Sequence, residues 1–233
     1  MVDVRLFDST GRKLIVTGHY GSGKTEFSVS FAMLYAAQTK KKLALIDLDI
    51  VNPYFRSRER RGMLEEVGVK IYGDWYDANI TAEIPALSAN VRTPLEDKSC
   101  KVIIDSGGNG AGALVLNQFS KYFIDDTTVI VVVNASRPET NTSSGVIEHI
   151  DAIETATGLK ITELVNNTHL ITETTADVIR RGNELCMQVC QDTGRTLRCN
   201  CYPVGIVDPK QLTGISGLIM PMGLQMRPTW LDK

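Results

Sequence analysis

The 233-residue chain carries 25 Lys and Arg against 27 Asp and Glu, a formal net charge of −2, with 43% apolar residues. This is globular composition at a length that one α/β domain fills, so the core needs no disulfide or metal staple. Near-neutral charge argues against broad binding to DNA or anionic lipid, and five cysteines, an odd number, argue against a secreted disulfide framework. No stretch approaches the roughly 20 apolar residues of an integral membrane span. The opening MVDVRLFDSTGRK has two Asp and no signal-peptide core, so a cytoplasmic chain is expected.

Short apolar, β-branched runs alternate with longer amphipathic segments. Residues 14–17, 43–47, 67–72, 101–105, 128–134, 161–166 and 198–206 read as strands. The near-continuous Val/Ile run at 129–133 suits a strand covered on both faces. Helices are predicted over 25–38, where Phe27, Phe31 and Leu34 share a face, over 140–157 (Val146, Ile150, Ile153) and over 176–191. Strands alternating with helices imply a three-layer, doubly wound, mostly parallel α/β sheet. One domain over 1–233 is expected, with its core at about 13–209. Residues 72–97, with Trp75, Tyr76 and two Pro, read as a short insertion carrying a helix near 85–90. The Gly-, Met- and Pro-rich tail, 210–233, has no assigned role and is too broken for an amphipathic membrane helix. Trp75, Tyr76, Met220, Met222, Met226 and Trp230 are either a partner or dimer surface or local packing.

After the first strand comes GHYGSGKT at 18–25, which fits G-x-x-x-x-G-K-[ST] between a strand and a helix. Gly18, Gly21 and Gly23 let the backbone curl so that N–H groups face phosphate oxygens, and the helix N-terminus adds positive potential. Lys24 reaches the β- and γ-phosphates, and Thr25 offers a hydroxyl to Mg²⁺. His19, Tyr20, Ser22 and Glu26 complete the candidate nucleotide contacts. Magnesium prefers oxygen ligands and keeps waters, so one or two carboxylates must stand near this loop, at the strand ends. Asp105 opens DSGG, where it can hold the metal through water and the Gly108 amide can sense a γ-phosphate. Asp47 and Asp49 end LALIDLDI; a capping or turn role is the alternative for Asp49.

Together GHYGSGKT, LALIDLDIVNPYFR, VIIDSGG and LVNNTHL resemble the ParA/MinD, nitrogenase iron protein and CobQ/CobB nucleotide-binding superfamily, over residues 14–209. The resemblance implies a seven- or eight-stranded sheet and ATP hydrolysis coupled to a conformational switch. It places Asp47 where an Asp arranges the waters of magnesium, and Asp49 on the switch I residue that orients attacking water. Asp105 and Gly108 fall on switch II, and Asn167 on the residue that contacts the base. One departure stands out. The partition-type branch carries a second lysine in K-G-G-x-G-K-[ST], where this chain has His19 and Tyr20. In the family that lysine reaches across an ATP-sandwich dimer, and a shorter, largely neutral histidine does not replace it. His19 is then either a phosphate contact when protonated or a solvent-exposed loop residue.

Guanine selectivity uses N-K-x-D, whose Asp accepts from the guanine edge. Here the stretch is Asn167-Thr168-His169-Leu170, and Leu170 accepts nothing, so ATP is expected. Asn166 is the alternative to Asn167. A stretch near 203–208 is a further candidate wall for the base. Arg56, Arg58, Arg60 and Arg61 either meet phosphate or a partner, or form a solvated face; Arg137 has the same two readings. Cys186, Cys190, Cys199 and Cys201 could bring four thiolates together, but their spacings are not the usual C-x₂-C, and ordinary packing is the simpler reading.

The chain is therefore expected to be a Mg²⁺-dependent ATPase switch. Lys24 and Asp49 carry the chemistry, and Thr25, Asp47 and Asp105 serve the metal. It would serve an unidentified protein or small-molecule client, with a homodimer left open and DNA binding not expected. The alternatives are an ATP-dependent ligase or phosphotransferase of the dethiobiotin synthetase or cobyrinic acid amidation type, and a metallocentre or corrinoid maturation ATPase.

Overall fold

The structure, a computed structural model, describes residues 11–49, 60–73, 91–108 and 110–226. In chain order these form β1 (Lys13–Thr17), α1 (Lys24–Gln38), β2 (Lys42–Leu48), α2 (Arg61–Glu66), β3 (Val69–Tyr72), α3 (Arg92–Glu96) and β4 (Cys100–Ser106). Then follow α4 (Gly110–Ala113), β5 (Thr127–Val133), α5 (Ser143–Thr157), β6 (Glu163–Asn166), α6 (Ala176–Thr193), β7 (Thr196–Pro203) and β8 (Leu218–Met222). The eight strands make one sheet in the order β3-β2-β4-β1-β5-β6-β7-β8. Each neighbouring pair is parallel.

Side-chain alternation sends each strand's residues to two opposite layers. Leu14 and Val16 of β1 join Phe27, Phe31 and Tyr35 of α1, with Leu64 of α2. Ile15, between them, faces the other way, toward Val146, Ile150 and Ile153 of α5. Helices thus cover both faces, which is why β1 and β5 read as nearly continuous apolar runs. Among the described residues no helix is long and apolar enough to cross a membrane.

The differences from the sequence reading are local. Helix α5 starts at Ser143 rather than 140, because the Thr142 hydroxyl accepts the Gly145 N–H at 3.1 Å and caps it. Strand β3 starts at Val69, after Gly68 turns the chain at φ 87°. Strand β7 stops at Pro203, short of 206. The tail supplies the eighth strand, the upper number that the resemblance implies, at a place the sequence pattern does not mark. Pro221 sits in β8, and a sheet edge tolerates its missing N–H. Trp75, Tyr76, Trp230 and the helix expected near 85–90 lie outside the described residues.

Just before the central strand β1, Arg12 ties the sheet to α3. Its Nη1 donates to the carbonyls of Pro94, Asp97 and Cys100 at 3.0–3.1 Å, and Nη2 donates to Leu95 at 2.7 Å. Arg12→Ala is expected to destabilise the fold by about 2–3 kcal/mol, because charge-assisted hydrogen bonds are each worth more than neutral ones. Chemical denaturation checks this; a change below about 0.5 kcal/mol, the size of an ordinary surface substitution, would remove the latch from the account.

Candidate functional site

A parallel sheet brings its strand C-termini to one edge, and the register sets which residues meet there. Asp47 of β2 lies directly beside Asp105 of β4, which in turn pairs with Val16 of β1 just before the phosphate loop. Loop and carboxylates, separate in sequence, therefore converge.

The loop keeps the curl expected of it. Gly23 has φ 81° and caps α1, leaving the first helical N–H groups without a side-chain partner. A Cβ on Gly23 would meet Asn167 Nδ2 at 2.4 Å. Gly108 lies so close to the loop that a Cβ there would stand 1.5 Å from the Gly18 carbonyl oxygen. The DSGG segment and the phosphate loop thus touch through backbone at Gly108 and Gly18. Ser22 is buried, and its N–H donates to the His19 carbonyl.

Lys24 is almost fully buried, and its Nζ stands 2.9 Å from Asp49 Oδ2. Asp49 is held in turn by its N–H, which donates to Asp47 Oδ1 at 3.2 Å. Asp105 accepts from the Ser28 hydroxyl at 3.5 Å through Oδ1, while its buried Oδ2 has no hydrogen-bond partner. Burial and the neighbouring Asp47 charge push the Asp105 carboxyl up to about 8, against the pull of Lys24 and the Thr25 hydroxyl. An orphaned buried carboxylate oxygen beside a threonine hydroxyl is an oxygen donor set that suits a hard divalent cation. Among the described residues no three His, Cys, Asp or Glu side chains group as a full metal cage. A cation here would complete its sphere with phosphate and water.

Beyond the loop opens a cavity of about 340 Å³, lined by Tyr20, Lys24, Thr25, Asn167, His169 and Leu224 among others. Asn167 Nδ2 donates to the Ser22 carbonyl at 2.8 Å, fixing β6 against the loop. Asn166 turns the other way, donating to the Ile179 carbonyl and to Asn200 Oδ1, which separates the two candidates. His169 Nδ1 accepts from the Ile171 N–H at 3.3 Å. Burial and Arg137 lower the His169 pKa to about 4, so the ring is neutral and its Nε2 is the donor.

His19 is neither fully exposed nor tied to a charged partner at hydrogen-bond distance. Its Nδ1 lies 3.0 Å from the Tyr20 carbonyl, and its ring meets His149 of α5 edge-on at 5.2 Å. Tyr20 is mostly exposed at the rim. Arg61 pairs with Glu65 along α2, while Arg56 and Arg58 lie outside the described residues. Cys186, Cys199 and Cys201 are buried, and Cys190 is half-buried.

Of three further contributors, the sequence reading leaves Arg137 open between two readings and does not assign the other two to the site. Arg137 Nε donates to the Gly21 carbonyl at 3.1 Å, and Asn134 Nδ2 approaches the same atom. The chain leaving β8, with Gly223, Leu224 and Met226, walls the cavity. Arg137 and Asn134 follow the β5 run, where a strand end signals the site. The β8 exit carries no such signal.

No family model and no curated relative matches the chain. Solved structures do. The cell division protein FtsY from Thermotoga maritima matches at a TM-score of 0.54 and 16% identity, over 80% of this chain and 60% of that one. Chloroplast FtsY from Physcomitrella patens matches at 0.54 and 15%, over 80% and 56%. The signal recognition particle 54 kDa protein from Aeropyrum pernix, in complex with GDP, matches at 0.52 and 20%, over 83% and 44%. This chain spans 60% or less of each, and at such identities the likeness is one of fold. Together the sheet, the loop and these matches define a three-layer α/β P-loop NTPase fold.

Proposed function

We propose that this chain is a nucleotide-driven switch of the ParA/MinD type that binds and hydrolyses ATP with Mg²⁺ on behalf of a client. The observation that carries the reading is the buried Lys24–Asp49 pair at the mouth of the cavity. A triphosphate entering the loop competes with Asp49 for Lys24, and the carboxylate it releases begins the segment that resembles switch I. Asp49 is then placed to accept a proton from, and so orient, the water that attacks the γ-phosphate. Gly108, packed on the Gly18 carbonyl, reports the same phosphate to switch II. Thr25 and Asp105, with Asp47 beside them, would hold Mg²⁺, which supplies charge neutralisation at the β- and γ-oxygens.

Adenine is favoured because Leu170 stands where a guanine reader needs an acceptor, while Asn167 and the neutral His169 offer amide and N–H groups at the cavity. Competition of unlabelled ATP and GTP against a fluorescent ATP analogue tests this. ATP is expected to displace the probe about tenfold more tightly, a difference of the size one hydrogen-bonded edge supplies. Tighter displacement by GTP would reverse the assignment.

A further inference from the structure

Glu26 follows Thr25 in the first turn of α1 and lines the cavity, where its carboxylate is tied to a distant part of the chain. Oε1 accepts the Gln225 N–H at 2.7 Å and Oε2 accepts the Met226 N–H at 2.9 Å, with the Ser30 hydroxyl at 3.4 Å from Oε1. These residues are 199 and 200 positions away in sequence. They belong to the chain leaving β8, whose Met222, Gly223, Leu224 and Met226 form one wall of the cavity. Met222 and Met226 are buried against the α1 layer, so this wall is packed as well as tied.

A carboxylate gripping two successive backbone N–H groups fixes both the position and the direction of that segment. A nucleotide has a set length between its base and its phosphates. Holding the base wall to the helix that carries Lys24 and Thr25 therefore fixes the spacing between the two ends of the ligand. We infer that Glu26 is a positioning residue for the base half of the nucleotide. It acts through the strap 222–226, against which a purine ring packs opposite Asn167 and His169. This rests on the nucleotide reading above and adds to it the second wall and its anchor.

The test compares ATP with inorganic tripolyphosphate, which has the phosphates but no base, by calorimetric titration of the full chain with Mg²⁺. The wild type is expected to bind ATP more tightly than tripolyphosphate. Glu26→Ala is expected to weaken ATP by about tenfold and leave tripolyphosphate unchanged, with Glu26→Gln, which keeps one acceptor, in between. Leu224→Ala, at a partly exposed position that can lose its side chain without unfolding the core, should weaken ATP alone in the same way. Amide exchange at 225 and 226 should quicken in Glu26→Ala without any nucleotide. Wild-type ATP affinity in both Glu26→Ala and Leu224→Ala, or an equal loss of tripolyphosphate, would overturn the role of Glu26 and leave the nucleotide reading standing. Failure of the wild type to bind either ligand would overturn both.

Discussion

Lys24→Ala is expected to lower ATP hydrolysis by about 10²–10³-fold, the usual cost of removing a charge that meets the transition state. It should also unsettle the fold, because Lys24 and Asp49 are both buried and 2.9 Å apart. Removing one partner leaves a buried carboxylate beside Asp47 and Asp105, a cost of roughly 3–5 kcal/mol. Inactivity of the single variant would therefore not distinguish chemistry from unfolding. The double variant Lys24→Met with Asp49→Asn does distinguish them. It replaces the ion pair by neutral side chains, so its melting temperature should recover toward the wild type while hydrolysis stays at background. Asp49→Asn alone should bind ATP more tightly than the wild type, since the nucleotide no longer competes with a carboxylate for Lys24, and should turn over slowly. Weaker ATP binding by Asp49→Asn would mean that the pair assists nucleotide entry rather than opposing it.

The parts of the site that could be read in advance are those written within a few neighbouring residues. GHYGSGKT and DSGG each encode their own geometry, and parallel register then brings Asp105 beside Asp47. The cavity beyond the loop is different in kind. It is assembled from Arg137, Asn167, His169, Pro203 and 222–226, whose approach depends on tertiary packing rather than on local spacing. Asn166 and Asn167 show the limit most plainly. Adjacent strand-end residues point to opposite faces, so an uncertainty of one residue in register exchanges a cavity residue for a buried strut. Strand β8 was missed for a similar reason: Leu218–Met222 contains a proline and follows two glycines within five residues, composition that reads as loop until an edge is available to accept it. The Glu26 clasp follows from that strand and was legible only as a residue near the loop.

The second large effect concerns Asp105. In the folded chain its carboxyl titrates near pH 8, against 3.8 for an ordinary Asp, because of burial and the adjacent Asp47. Since the two carboxylates interact, the retained proton belongs to the pair. Between about pH 4 and pH 8 the folded state holds a proton that the unfolded chain releases, so stability falls as pH rises through that window. Asp105→Asn removes the charge while keeping the shape. It is expected to match the wild type near pH 5 and to exceed it by roughly 2 kcal/mol at pH 8, less than full one-proton linkage allows because buried charges relax their surroundings. Thermal melts across this range check it; parallel profiles for the two proteins would sink the argument. Magnesium with ATP should reverse the order, raising the melting temperature of the wild type at pH 8 and leaving Asp105→Asn nearly unmoved, because the buried Asp105 Oδ2, which accepts no hydrogen bond, is the donor a cation needs. Lys24 already answers Asp49 at this buried edge, so the repulsion that remains lies between Asp47 and Asp105, and a cation held at Asp105 Oδ2 would relieve it.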